Sequence, residues 1–355
     1  MKERRPKSEG VHAKNSDYLA YDQVEKRQSY SFSEQADGSE SFDEEFEIKT
    51  CDLARFLDGD ARERATFAAE LNAALREIGF AILTGHPVDL ATYAACETEV
   101  ERLFTGHSLQ EKLRFRAARH GSVNQGYFPL EETSDIHPDL VEGWVFCRRA
   151  FQLAGEPVDL SAFWPDPAHH APFQRLLRAH EQVLLPVMQA ILQGLGCDPH
   201  LFDERLSATN LGLRLNYYPP VPEGARGGRL LGHEDVDLFT LLPAPTSEGL
   251  QVLNRRNFRW IRLDAPHGSI VLNTGDYMQR ITNDILPSTT HRVSLPREPA
   301  LRSRSRVSFA TNVYLWEDDL LEVLPGLGPP KYAPIRAEEF HTRTTAKYYG
   351  DDYAS

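Results

Sequence analysis

Three side chains in the C-terminal half have the types and spacing to share a metal ion. His233 and Asp235 stand two apart in LLGHEDVDLF, and His291 lies in STTHRV. In an extended segment residues i and i+2 point the same way, so one imidazole and one carboxylate from the first run can face a common point. Two imidazoles and a carboxylate on one side of a divalent metal leave its other positions open to outside ligands. With 13 histidines in the chain, a His-x-Asp pair alone reads as polar residues at a strand end. A second pattern changes that weighting. RSRSRVSFATN contains one Arg-x-Ser, Arg306 and Ser308, which also project to one side of a strand. A guanidinium beside a hydroxyl suits a carboxylate, each charge-assisted hydrogen bond contributing ~1.5–3 kcal/mol. Tyr218 in NYYPP could donate to the same anion. A metal set and an anion clamp on separate strands are hard to explain as scaffolding.

The elements that would position these groups are β-rich. From about residue 210, short runs alternate with turn signals: LRLNYYPP, DLFTLLPAP, GLQVLNRR, RWIRLDAP, GSIVLNTGD, STTHRVSL and RVSFATNVYL. Strands of that length and spacing predict a sandwich or barrel. The preceding stretch is more helical. Phe67, Leu71, Leu75 and Ile78 recur at helical spacing with Gly79 as a stop, then FAILTGHPV reads as a strand entering a turn, with His86 a turn residue. A second helix spans Phe173 to Leu195, with Leu177, Leu184, Met188 and Ile191 on its inner face and Pro186 as a kink. Residues 1–45, rich in Ser and mixed charge, read as a disordered tail.

Composition narrows the function classes. The chain has 355 residues, 41% hydrophobic and 26% charged, enough for a large core or about two domains. A net charge of −13 argues against a general nucleic-acid or anionic-membrane binder. No apolar run approaches the roughly 20 residues of a membrane span, and Met1 begins a polar stretch without a signal-peptide core. Cys51, Cys96, Cys147 and Cys197 form no CxxC pair, which fits a reducing, cytoplasmic setting. The P-loop, dinucleotide-binding, GxSxG and HExxH patterns are all missing.

In order, NYYPP, HEDVDLFTLL, GLQVL, Trp260, GSIVLNTGDYMQRITND, STTHRV and RVSFA resemble the iron- and 2-oxoglutarate-dependent dioxygenase superfamily, in its isopenicillin N synthase-like branch. GFAILTGHPV, GYFP and FWP are similar to that branch's N-terminal domain, so the likeness runs over about residues 46 to 350. It implies a mainly β fold with flanking helices: a double-stranded β-helix, or distorted jelly roll, behind a helical, mixed N-terminal domain. The expected divisions are the tail 1–45, an N-terminal domain 46–205, a catalytic domain 206–325 and a C-terminal extension 326–355. Carried over by position, His233, Asp235 and His291 would bind Fe(II). Arg306 and Ser308, with Tyr218 and Asn216, would bind 2-oxoglutarate. The interval from His291 to Arg306 is several residues longer than usual, filled by LPREPALRSRS.

The resemblance also implies O2 as second co-substrate, ascorbate as a stimulant, and oxidative decarboxylation to succinate and CO2 coupled to oxidation of a small metabolite, in secondary metabolism. Asp235 argues against halogenation, since halogenases of the family lack this carboxylate; hydroxylation, desaturation and ring closure stay open. One alternative is an isopenicillin N synthase-like or ethylene-forming-type oxidase without 2-oxoglutarate; a remoter one is a non-catalytic module binding a small acid. No obligate protein partner is evident. For the substrate, strand phase places Arg214 with Asn216 and Tyr218, Asn312 with Arg306 and Ser308, and Asp237 with His233 and Asp235. Tyr127, Trp144 and Phe146 match cavity-wall positions of relatives. Together they predict a polar small molecule held against one apolar wall.

Overall fold

The computed structural model describes Val24 and residues 40–349, apart from 121–122, 131–138, 156, 222–227 and 246. The strands of the two main sheets are β1 (Thr50–Asp52), β2 (Phe80–Thr84), β3 (Ala118–His120), β4 (Val123–Phe128), β5 (Glu142–Cys147), β6 (Asn210–Tyr218), β7 (Leu230–His233), β8 (Phe239–Pro243), β9 (Leu250–Leu253), β10 (Trp260–Arg262), β11 (Ile270–Thr274), β12 (His291–Val293) and β13 (Arg306–Tyr314). Each of the seven expected β runs carries one of them. Helices α1 (Ala61–Ile78), α2 (Leu90–Thr105), α3 (His170–Gly194) and α4 (Asp276–Ile281) flank the sheets.

Two sheets enclose the core as a distorted jelly roll. The larger runs β1-β2-β11-β8-β13-β6-β5-β4-β3, and the smaller β10-β9-β12-β7. Between them pack Phe80, Ile82, Leu250, Val252, Ile261 and Val271, the inward half of each strand's alternation. The N-terminal part is not purely helical, because β2 pairs with β11 at one side of the large sheet and β5 with β6 at the other. The boundary expected at 205/206 therefore falls within one shared sheet.

The helices cover the outer face of the large sheet. Asp60 and Glu63 form a capping box that starts α1, and Gly79 in the left-handed region ends it. The periodic residues Phe67, Leu71, Leu75 and Ile78 are buried, and Asn72 Nδ2 donates to the Ala190 and Ile191 carbonyls of α3. Along β13 the odd-numbered Phe309, Thr311 and Val313 are buried toward the helices, where His180 of α3 bonds the Thr311 hydroxyl at 2.8 Å. The even-numbered residues are left for the interior cavity. Among the described residues no helix is long and apolar enough to cross a membrane.

Of the stretch expected as a tail, Val24 and residues 40–45 are among the described residues. Val24 lies in the main core, and residues 40–44 are strapped across the small sheet; the rest of 1–39 lies outside the described residues. The Asp43 N–H donates to the Trp260 carbonyl at 2.8 Å, and the Trp260 N–H to the Ser41 carbonyl at 3.1 Å. Glu40 takes a bidentate pair from Arg292, which is buried, bonds Gln251 and lies 3.9 Å from the Trp260 ring centroid. Arg262 sits 3.6 Å from the Phe42 ring centroid and pairs with Glu44. Acidic residues that look solvated in sequence are thus consumed by the basic outer face of this sheet. Glu40→Ala leaves Arg292 buried without its acid, so stability in chemical denaturation should fall by about 3 kcal/mol or more. Adding Arg292→Met should recover most of that loss; a single variant as stable as the parent would show the pair to be inert.

Candidate active site

Antiparallel register brings the two histidines together. β12 pairs with β7 so that His291 lies opposite His233, their ring centroids 4.4 Å apart. Each Nδ1 lies against a backbone carbonyl, Leu231 at 2.8 Å and Thr289 at 3.2 Å, an assignment that leaves both Nε2 atoms facing Asp235. The distances to Asp235 Oδ1 are 3.8 Å from His233 and 4.0 Å from His291. All three ligand atoms lie within 4.8 Å of one another, and no other such cluster occurs among the described residues. A metal needs neutral imidazoles. Burial first, then the neighbouring His291, pulls the His233 pKa down to about 4.

Asp235 is fixed from behind. Its Oδ2 accepts from Thr240 Oγ1 at 2.7 Å and Asn273 Nδ2 at 2.8 Å, which leaves Oδ1 toward the histidines. Burial raises its pKa, but the two imidazoles and these bonds outweigh burial and keep it below the usual carboxylate value. The Asp276 N–H, at the start of α4, donates to the Asp235 carbonyl at 2.8 Å. Gly275 permits this approach, because a Cβ there would lie 2.2 Å from Asp237 Oδ1 and 2.8 Å from the Asp235 carbonyl.

Asp237 does not continue the inward phase expected for it. β7 ends at His233, and the following turn carries Asp237 into a fully buried network that does not line the cavity. Thr240 Oγ1 lies 2.7 Å from Asp237 Oδ2 as well as from Asp235. One hydroxyl hydrogen serves both contacts only if one carboxyl is protonated. Burial, and next the charge of Asp235, hold the Asp237 carboxyl well above the usual carboxylate range.

The other end of the cavity is cationic. β6 and β13 pair Arg306 with Tyr218, Ser308 with Asn216, Ala310 with Arg214 and Asn312 with Gly212, a ladder facing the metal-ligand cluster. A cavity lies between, lined by Arg306, Ser308, Tyr218, Asn216, Arg214, Asn312 and the His-Asp-His set. Arg306 is 3% exposed, 4.9 Å from the Tyr218 ring centroid, and its Nε and Nη1 have no hydrogen-bond partner among the described residues. A desolvated guanidinium with idle donors beside a serine fits an incoming carboxylate. Asn312 donates to Asp237 at 2.9 Å and Thr240 at 2.8 Å.

Tyr127, Trp144 and Phe146 do not join the cavity. They occupy the opposite face of β4 and β5, where Tyr127 bonds Glu142 and Phe146 stacks on Trp164 with 3.8 Å between centroids. Their neighbour Phe128 turns the other way, its ring centroid 5.9 Å from the Arg214 guanidinium carbon. Alternation was the available signal, but without a register it cannot say which face is inside.

A jelly roll with a two-His, one-carboxylate cluster at one end of its cavity and an anion clamp at the other defines a metal-dependent oxygenase. The family model of the 2OG-Fe(II) oxygenase superfamily matches residues 209–313, and that of the non-haem dioxygenase in morphine synthesis N-terminal region matches 48–167. Gibberellin 3-beta-dioxygenase 2 of Arabidopsis thaliana is 30% identical over 292 residues, covering 74% of this chain and 77% of the relative. A 2-oxoglutarate-dependent dioxygenase of an Acremonium species is 27% identical over 326 residues, covering 80% and 95%. The fold matches a full-length Neurospora crassa protein, solved in complex with alpha-KG and thymine, at a TM-score of 0.72 and 23% identity, over 85% of this chain and 97% of that one. The chain belongs to the 2OG-Fe(II) oxygenase superfamily, whose cofactor is Fe(II) and whose co-substrate is 2-oxoglutarate.

Thr240→Val removes the hydroxyl behind Asp235 at nearly constant volume. Fe(II) affinity, titrated on the metal-free protein, should fall about tenfold or more while Thr240→Ser stays near the parent. Unchanged affinity in the valine variant would leave orientation of Asp235 to Asn273 and the backbone.

Proposed function

We propose that this enzyme oxidises a small polar metabolite at the expense of 2-oxoglutarate, with His233, Asp235 and His291 holding Fe(II). Arg306, Ser308, Tyr218 and Asn216 hold the far carboxylate of 2-oxoglutarate. The observation that carries this reading is the buried Arg306, its Nε and Nη1 idle in the cavity that also contains the three metal-ligand side chains. Bound iron and 2-oxoglutarate supply the oxidising chemistry, in which O2 is consumed, succinate and CO2 are released, and a substrate C–H bond is oxidised. The chain's own part is placement. Two imidazoles and one carboxylate leave further coordination positions open, and Thr240 and Asn273 hold the second oxygen of Asp235 away from them. Arg306 and Ser308 orient the co-substrate by its charged end. Arg214, Ala310 and Asn312, further along the same ladder, form the substrate side. Four free cysteines accord with a cytoplasmic setting.

Succinate release in the presence of Fe(II), 2-oxoglutarate and O2 tests the class directly. Arg306→Ala should raise the 2-oxoglutarate requirement by about a hundredfold, since losing a desolvated, bidentate partner costs on the order of 3 kcal/mol. Asp235→Ala should abolish both turnover and tight Fe(II) binding. An Arg306 variant with unchanged 2-oxoglutarate dependence would favour an oxidase that does not use this co-substrate.

Arg214 tests the polar substrate. Its Nε donates to Asn216 Oδ1 at 3.1 Å, and its side chain lines the cavity. Arg214→Glu should depress oxidation of the true substrate at least about tenfold while substrate-free decarboxylation of 2-oxoglutarate largely persists. Equal loss of both would assign Arg214 to the co-substrate or to the fold.

A further inference from the structure

A second arginine stands behind the co-substrate end of the cavity. Arg229, just before β7, is 1% exposed, and its guanidinium carbon lies 5.9 Å from the centroid of the Tyr218 ring that Arg306 also approaches. Its backbone N–H donates to the Val293 carbonyl at 3.0 Å and its Nη2 to the Arg304 carbonyl at 3.3 Å. Its Nε is buried without a partner among the described residues. Neither Arg229 nor Arg306 forms an ion pair with a described carboxylate; Glu248, the acid whose charge Arg229 feels, is paired with Arg297 at 3.1 Å. Burial, and next the charge of Arg306, lower the Arg229 pKa to about 10, so Arg229 stays protonated at neutral pH.

Two like charges buried against one tyrosine repel each other and have lost their water. Such a pair is tolerable where an anion arrives to neutralise it. Arg229 does not line the cavity, so it cannot be a direct ligand there. We infer that Arg229 is a positioning residue for the co-substrate: it backs Tyr218 and adds a second positive charge, so that the pocket selects 2-oxo acids bearing a distal carboxylate. This rests on the assignment of Arg306 and Tyr218 to that carboxylate.

The test is binding without turnover, by calorimetry with Mn(II) in place of iron. Arg229→Met, similar in length and neutral, should raise the Kd for 2-oxoglutarate about tenfold and flatten its dependence on salt. Mn(II) affinity should not change. Binding of 2-oxopentanoate, which has the same chain length without the distal carboxylate, should be weak in both proteins and shift by less than about twofold. Arg229→Lys keeps the charge and should stay within about threefold of the parent, which keeps the idea testable should the methionine variant not fold. Parent-like 2-oxoglutarate binding in Arg229→Met would overturn the inference. So would an equal loss for both oxo acids, or a lysine variant impaired as badly as the methionine one. Failure of the underlying assignment shows separately, as an Arg306→Met variant that binds 2-oxoglutarate normally.

Discussion

Across β7 and β12, His233 and His291 face each other in an antiparallel ladder whose register shifts just beyond them, between His291 and Val293. Side chains alternate between faces at every residue, so a one-residue slip would carry His291 to the outer surface and bring buried Arg292 into the cavity. The register is secured from both sides. β9 holds β12 through His291 opposite Val252 and Arg292 opposite Gln251, so the residue pair at the metal end and the pair at the outer clasp are set together. Asp235 lies beyond the strand end and needs its own anchors, which come from β8, β11 and the start of α4.

The same alternation divides labour along β13. Its even-numbered residues supply the guanidinium, hydroxyl and amide of the cavity, and its odd-numbered residues seal against helices. Charge is segregated as well. An acid network of Asp235, Asp237, Thr240 and Asn312 sits behind the metal end, and buried arginines sit at the other. In a cavity of low polarizability this separation favours one orientation for a molecule with unlike ends, before any shape fit is considered.

Most of the catalytic framework was legible in the sequence because it obeys local rules. Period-two patterning marked the strands, and the spacing of His233, Asp235, His291, Arg306 and Ser308, with the family resemblance, marked the site. What escaped depends on tertiary facts. Trp144 and Val145 alternate whichever face is inside, so only pairing with β6 shows that Trp144 looks toward the helices. Asp237 shares parity with Asp235, but the strand has already stopped. Arg229 carries no local signal, since its partner Tyr218 lies 11 positions away in sequence and meets it only through folding. Glu40, Asp43 and Glu44 look like tail residues until Arg292, Asn254 and Arg262 are seen waiting for them.

That strap has a colloidal consequence. β10 is an outermost strand of the small sheet, and an uncovered edge offers its backbone donors and acceptors to any other extended chain. Ser41 and Asp43 occupy those groups at Trp260, and Phe42 lies under Arg262 instead of facing water. A molecule cleaved after residue 44 would therefore present a bare edge at β10. It would also lack Glu40 beside Arg292, so it would be both less stable and prone to self-association at high concentration.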